Sequence, residues 1–217
     1  MLREILCWVL ILGSAWVSVH YAPVLPERVA THFDIAGNPN GWMSRTNALV
    51  FGPAMALGMY VLFTVLIWLG STERNVLALD ERTAGFMQVA KVMLVLLLAV
   101  VHASIVMNAA GMKHNPMSAM APVLSLMMAY LGWAIMQAKR NWMMGVRVPW
   151  TLVDEDAWRL GNRVMGYALI VTAVTCLAGM VLPRLWVWLF LAPLALGTVL
   201  SIVWSYVVYR RGRAASG

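Results

Sequence analysis

Six apolar runs constrain this chain more than any other feature, over residues 5–21, 48–69, 89–110, 117–138, 164–182 and 185–209. A helix needs roughly 20 mostly apolar residues to cross a hydrocarbon core about 30 Å thick, so runs of this length predict membrane spans. Composition agrees, with 62% of the 217 residues hydrophobic and 12% charged, and a mean hydropathy of +0.76. Only Pro183 and Arg184 separate the last two runs, which predicts a tight helical hairpin. Arg3 precedes the first run as in a signal peptide. That run, however, leads into His20, Tyr21 and Pro23 without a small-residue cleavage site, so an uncleaved span is expected. The expected fold class is all-α, a polytopic membrane protein of six transmembrane helices. It forms one integral membrane domain over 1–217, with one long outer loop (22–47) and one long cytoplasmic loop (139–163).

An even number of spans puts both termini on one side. That side would hold Arg3, Arg74, Arg82, Lys91, Lys139, Arg140, Arg147, Arg159, Arg163, Arg210, Arg211 and Arg213, against Arg28, Arg45, Lys113 and Arg184 on the other. The imbalance predicts cytoplasmic termini, and the net charge of +7 then reflects topology and attraction to anionic membrane lipids. Basic residues scattered over short loops, with no soluble domain to present them, speak against direct nucleic-acid binding. Trp42, Trp68, Trp142, Trp150, Trp158, Trp186 and Trp188 cluster near span ends, as an interfacial belt would. Cys7 and Cys176 fall within spans and are expected to be small apolar fillers rather than a disulfide. The two long loops follow the first and fourth spans, so a three-plus-three inverted repeat would make them counterparts.

The outer loop carries the stretch THFDIAGNPNGW, residues 31–42. Pro23 and Pro26 end the first helix, residues 29–33 favour an extended segment, and Gly37-Asn38-Pro39-Asn40-Gly41 favours a turn. In an extended segment His32 and Asp34 would point the same way. All four histidines, His20, His32, His102 and His114, fall in the outer half of this topology. A polar side chain inside a span faces the bundle interior or a wet cavity. His32, Asp34, Asn38, Trp42, His102 and Asn108 are therefore candidate ligand contacts. The competing reading has the loop residues fixing their own turn and His102 bonding a neighbouring helix. With no HExxH or CxxC spacing, neither a metal nor a cofactor is expected.

The cytoplasmic loop reads NWMMGVRVPWTLVDEDAWRLGNR. Thr151 or Asp154 can cap a helix whose first turn carries Glu155 and Asp156, and Arg147 could bridge to that acidic turn. Capping and anchoring explain much of it. A functional reading makes Asn141, Arg147, Trp158, Asn162 and Arg163 a docking surface for a cytoplasmic partner.

Both loops carry familiar patterns. LPERVATHFDIAGNPNGW resembles the LPxxIPxHFxxxGxPDxW pattern of an uncharacterised bacterial membrane domain, within residues 1–70. NWMMGVRVPWTLVDEDAWRLGNRVMG resembles the NxxxGxRxPWTxxxxxxWxxxNxxxG signature of the SdpI family, within 117–209. Ala30 stands where the first pattern has proline, and Asn40 where it often has aspartate. The SdpI family takes its name from an immunity protein against a sporulation-delaying peptide toxin. The resemblance implies a bacterial inner-membrane protein that binds an amphipathic peptide toxin or lipid-like ligand outside. It further implies signalling to a cytoplasmic repressor. Transport is a second class, disfavoured because every Asp and Glu is read as lying in a terminus or loop. A membrane hydrolase is a third, for which Ser104 beside His102 is a thin constellation.

Overall fold

The computed structural model describes residues 1–34, 38–72, 77–112 and 116–215. Gly37, Arg74, Lys113 and His114 lie outside the described residues. In chain order the elements are α1 (Leu2–Tyr21), a 3-10 turn (Ala22–Val24), β1 (Arg28–Phe33), β2 (Pro39–Ser44), α2 (Arg45–Thr72), α3 (Glu81–Ala109), α4 (Pro116–Gln137), a short α5 (Pro149–Val153), α6 (Glu155–Ala178), a second 3-10 turn (Pro183–Leu185) and α7 (Trp186–Ala215). Every helix but α5 is long and apolar enough to cross a membrane. The chain is a multi-pass membrane protein with six helices of spanning length among the described residues.

α3 and α6 start well before their apolar runs. α3 begins at Glu81 because Asp80 caps it, its carboxylate accepting the Thr83 N–H at 3.0 Å. α6 begins at Glu155 because Asp154 accepts the Ala157 N–H at 2.7 Å. Hydropathy marks where charge ends, whereas a helix begins where its first free N–H groups find acceptors.

Packing divides the bundle into two groups, α1–α2–α3 and α4–α6–α7, joined where α3 meets α4. The larger core, with Phe86, Leu124, Met128, Ile135 and Leu169, spans that joint, while Cys7, Ile11, Ala56 and Val95 form a smaller core in the first group. α4 and α6 cross at two glycines. A Cβ on Gly132 would sit 2.5 Å from the Gly166 carbonyl oxygen, and one on Gly166 2.7 Å from that of Gly132. Such backbone approach is how helices gain contact in lipid, where burying apolar surface supplies little force. Trp8, Leu12, Trp16, Val65, Val174, Trp188 and Trp204 are exposed on the bundle's outside, where lipid chains would cover them.

The tryptophan belt is partly corrected. Trp42, Trp68, Trp142 and Trp188 are exposed, but Trp158 and Trp186 are buried in the protein. Both cysteines are free and fully buried. The three-plus-three division is present in the packing, yet the long loops have different folds, one a β-hairpin and the other an irregular coil ending in α5.

Candidate functional site

At one end of the bundle, β1 and β2 form an antiparallel hairpin with Val29 opposite Met43 and Ala30 opposite Trp42. Val29 and Leu25 are buried against Ala48 and Val106, so the hairpin is seated on α2 and α3. The register shifts on both sides of His32, which faces Gly41. Thr31 is the extra residue of a bulge, and bulges twist a strand and re-aim its side chains. The second shift, between His32 and Phe33, breaks the simple alternation expected for His32 and Asp34.

Asp34 is a turn residue. Its carboxylate accepts the Asn38 N–H at 2.8 Å and the Asn38 side-chain amide at 3.3 Å, while the Asp34 N–H donates to the Asn38 carbonyl at 2.9 Å. His32 takes another course. Together with Thr31, Met43, Phe51, Gly52 and His102 it lines a cavity of about 190 Å³ beneath the hairpin. Two of the six candidates, His32 and His102, thus share one cavity. Trp42 is half exposed on the hairpin, and Asn108 sits at the end of α3 with its carbonyl accepting the Gly111 N–H at 3.0 Å. His20 stacks on Trp16 away from this cavity.

His102 is the buried hub of this end, at 4% exposure. Its Nε2 lies 2.8 Å from the Ser18 hydroxyl, which itself lies 2.7 Å from the Leu49 carbonyl. The Ser18 hydroxyl has one proton and lies within reach of the Leu49 carbonyl, the Ser14 carbonyl and His102 Nε2, so the tautomer of His102 sets which partner gives the proton between the two side chains. One histidine therefore ties α1, α2 and α3 together. Gly52 makes the contact possible, since a Cβ there would fall 2.2 Å from His102 Nδ1. Ser18, rather than Ser104, is the serine that engages this ring. Neither Ser18 nor Gly52 carries a sequence signal; only three-dimensional proximity reveals them.

At the other end the coil between α4 and α5 is knotted by its own polar residues. Asn141 accepts the N–H groups of Met143 and Met144, both at 2.7 Å, and donates to the Lys139 carbonyl at 2.7 Å. Asn162 accepts the Val146 N–H at 2.8 Å and donates to the Trp158 carbonyl at 2.9 Å. The Trp158 indole donates to the Ala138 carbonyl at 3.0 Å, and Thr151 donates to the Val146 carbonyl at 2.7 Å. Gly145, at φ +118°, passes so close to Asn162 that a Cβ would lie 2.4 Å from its amide oxygen. Asn141, Trp158 and Asn162 are each 1% exposed, so they shape the loop from within and present no surface to a partner. Arg147 and Arg163 are the exposed members of that set. Arg147 bonds the Trp142 carbonyl rather than the acidic turn, which Arg140 approaches instead, 4.0 Å from Glu155.

One cluster escapes sequence reasoning altogether. Lys91, counted above among the charges of the cytoplasmic side, lies inside α3 with its side chain fully buried. Its ammonium donates to Glu4 at 2.8 Å and to the Thr64 hydroxyl at 3.1 Å, and sits 4.7 Å from the Tyr60 ring centre. The Tyr60 hydroxyl donates to the second Glu4 oxygen at 2.8 Å. Glu4 is therefore an acidic residue within a spanning helix, contrary to the expectation that none exists.

The comparisons with known proteins follow the same two-part layout. Residues 9–57 match a domain of unknown function (DUF1648), and residues 137–205 match the SdpI/YfhL protein family. Over 172 residues, 79% of this chain and 78% of the relative, the sequence is 25% identical to the immunity protein SdpI of Bacillus subtilis (strain 168). No solved structure matches. The seated hairpin lies within the segment that matches DUF1648, and the knotted loop, α6 and most of α7 lie within the segment that matches the SdpI/YfhL family, both in one six-span chain.

Proposed function

We propose that this chain is an SdpI-like immunity protein, a binding protein of the bacterial cytoplasmic membrane that protects its cell from a membrane-active peptide. The basic residues favour cytoplasmic termini, which turns the hairpin outward. The observation that carries the reading is the cavity roofed by that hairpin and lined by His32 and His102, in a chain similar to an immunity protein. At about 190 Å³ it is smaller than the roughly 300–1,000 Å³ of sites that enclose a drug-sized molecule. It suits one inserted side chain of an amphipathic peptide lying along the membrane surface. His32 is exposed and offers the polar contact at the mouth.

Signalling is the finer part of the proposal. It requires the peptide to favour one arrangement of the helices over another, since equal affinity shifts nothing. His102, bonded to α1 and beside α2, is placed to feel such a shift, and Arg147 and Arg163 are the exposed residues a cytoplasmic repressor would meet. Transport gains the Lys91–Glu4 pair, but Glu4 lies about 21 Å of helix from Ser18, so the pair is remote from the cavity.

Expression in a Bacillus subtilis strain lacking SdpI, challenged with the sporulation-delaying peptide toxin, tests the proposal. The chain should restore survival, and His32→Ala, or Met55→Trp at another residue that lines the cavity, should raise sensitivity about tenfold, the equivalent of 1.4 kcal/mol of lost binding, at equal membrane levels. A chain that reaches the membrane at SdpI's level and gives no protection overturns it.

A further inference from the structure

A second cavity lies at the opposite end from the hairpin, bordered on one side by the knotted coil from Met143 to Val148 and separate from the outer site. It measures about 470 Å³ and is lined by Phe63 of α2, Met87 of α3, Leu131 of α4, Met165 of α6 and Thr198 of α7, with Arg147 at its edge. Its volume falls in the range of sites that hold a small ligand, roughly 300–1,000 Å³. The walls come from both helix groups. α2 and α7 both line the cavity, yet they share no packed face among the described residues, so it opens sideways between them. Thr198 is exposed on that flank. In a bilayer this opening faces hydrocarbon, and what enters from hydrocarbon is an acyl chain.

The charge at the edge selects the kind of lipid. Arg147 is exposed, and its bond to the Trp142 carbonyl uses one of five guanidinium donors and fixes the group beside the cavity. Lys139, Arg140 and Arg163 stand on the same end of the bundle. A planar fork of N–H donors matches a phosphate, and basic groups on a membrane face attract anionic headgroups. The walls themselves are almost wholly apolar. Ser201, which also borders the space, already donates to the Thr198 carbonyl at 2.9 Å.

We infer that this cavity binds one anionic phospholipid, with an acyl chain between the two helix groups and its phosphate on Arg147. The site is independent of the immunity proposal, since it lies at the other end of the bundle and needs no toxin. The wedge it provides holds α2 and α7 at a set spacing, filling the gap between these two helices, which share no packed face among the described residues.

The test uses the full chain in detergent, titrated with phosphatidylglycerol or phosphatidylcholine of identical chains and read by native mass spectrometry. One retained phosphatidylglycerol is expected, bound about fivefold more tightly than phosphatidylcholine, as one basic group near an anionic lipid provides. Arg147→Gln should erase that preference, Arg147→Lys should keep part of it, and Thr198→Trp at the opening should weaken both lipids. A photoreactive phosphatidylglycerol carrying its diazirine at the chain end gives a second readout on the unaltered chain, expected on Met87 and Met165. Equal retention of the two lipids by the unaltered chain, or crosslinks confined to lipid-facing residues such as Trp68 and Trp188, would overturn the inference. So would retention of an apolar solute in place of either lipid.

Discussion

Gly52 and His102 show how much of this protein turns on single side chains that no pattern announces. The imidazole occupies the space where any other residue at position 52 would put its Cβ, 2.2 Å from Nδ1. Gly52→Ala must therefore push the ring away from α2 and stretch its bond to Ser18. Overpacking of this kind costs about 1–3 kcal/mol. The expected result is a lower thermal midpoint in detergent with loss of protection, whereas Gly58→Ala on the same helix, where a Cβ meets nothing within 4 Å, should leave both unchanged. Equal effects of the two would mean the histidine has room to move. The sequence did mark His102 as an intramembrane polar residue with an interior role, because burying such a group in lipid needs a partner. It could not name Ser18 or Gly52, which are 84 and 50 positions away along the chain. Alternation places Asp34 beside His32, whereas the register irregularity between His32 and Phe33 and the bond from the Asn38 N–H hold Asp34 in the turn.

At the scale of elements, what was legible was whatever is periodic or local. Six apolar blocks gave six helices, whereas of the turn expected over residues 37–41, Pro39, Asn40 and Gly41 are instead the first residues of β2 and Gly37 lies outside the described residues. Helix starts are displaced because caps, not hydropathy, set them; Lys91 lies within the third apolar run but counts there only as a charge of the cytoplasmic side, because its partner Glu4 is 87 positions away in the chain. Within α3 it is the deepest charge, and the cost of placing it there depends on Glu4. The two partners are unequal: the Lys91 side chain is fully buried, while that of Glu4 is 39% exposed. Glu4→Gln leaves an ammonium in the protein interior without its anion, which costs about 3 kcal/mol or more. Lys91→Met leaves a carboxylate that can still reach water, and should cost nearer 1 kcal/mol, the value of the lost hydrogen bonds. The double variant should regain part of the Glu4→Gln loss, because an apolar side chain no longer needs an anion. Unfolding titrations of the four chains in mixed detergent measure the cycle; purely additive effects would show that α1 and α3 are not joined through this pair.

Orientation belongs to the molecule as a whole, and every assignment of an outer site depends on it. The six spans place the hairpin and the knotted loop at opposite ends, and the positive residues concentrate at the end that holds the termini. The protein provides its own background for testing this, since both of its cysteines are fully buried and unreactive to a bulky reagent. Asn38→Cys at the hairpin keeps the main-chain N–H that bonds Asp34, and Val153→Cys in α5 replaces a side chain that is 67% exposed. An impermeant maleimide applied to intact cells should label Asn38→Cys in full and Val153→Cys only once the membrane is opened. The reverse pattern would turn the hairpin cavity toward the cytoplasm and Arg147 toward the outside. Because the positive-inside preference acts through short loops near span ends, the same logic gives a dose response. Replacing Arg140 and Arg163 with glutamine should weaken the bias without inverting it, as Arg210, Arg211 and Arg213 still hold the last helix with its end in the cytoplasm.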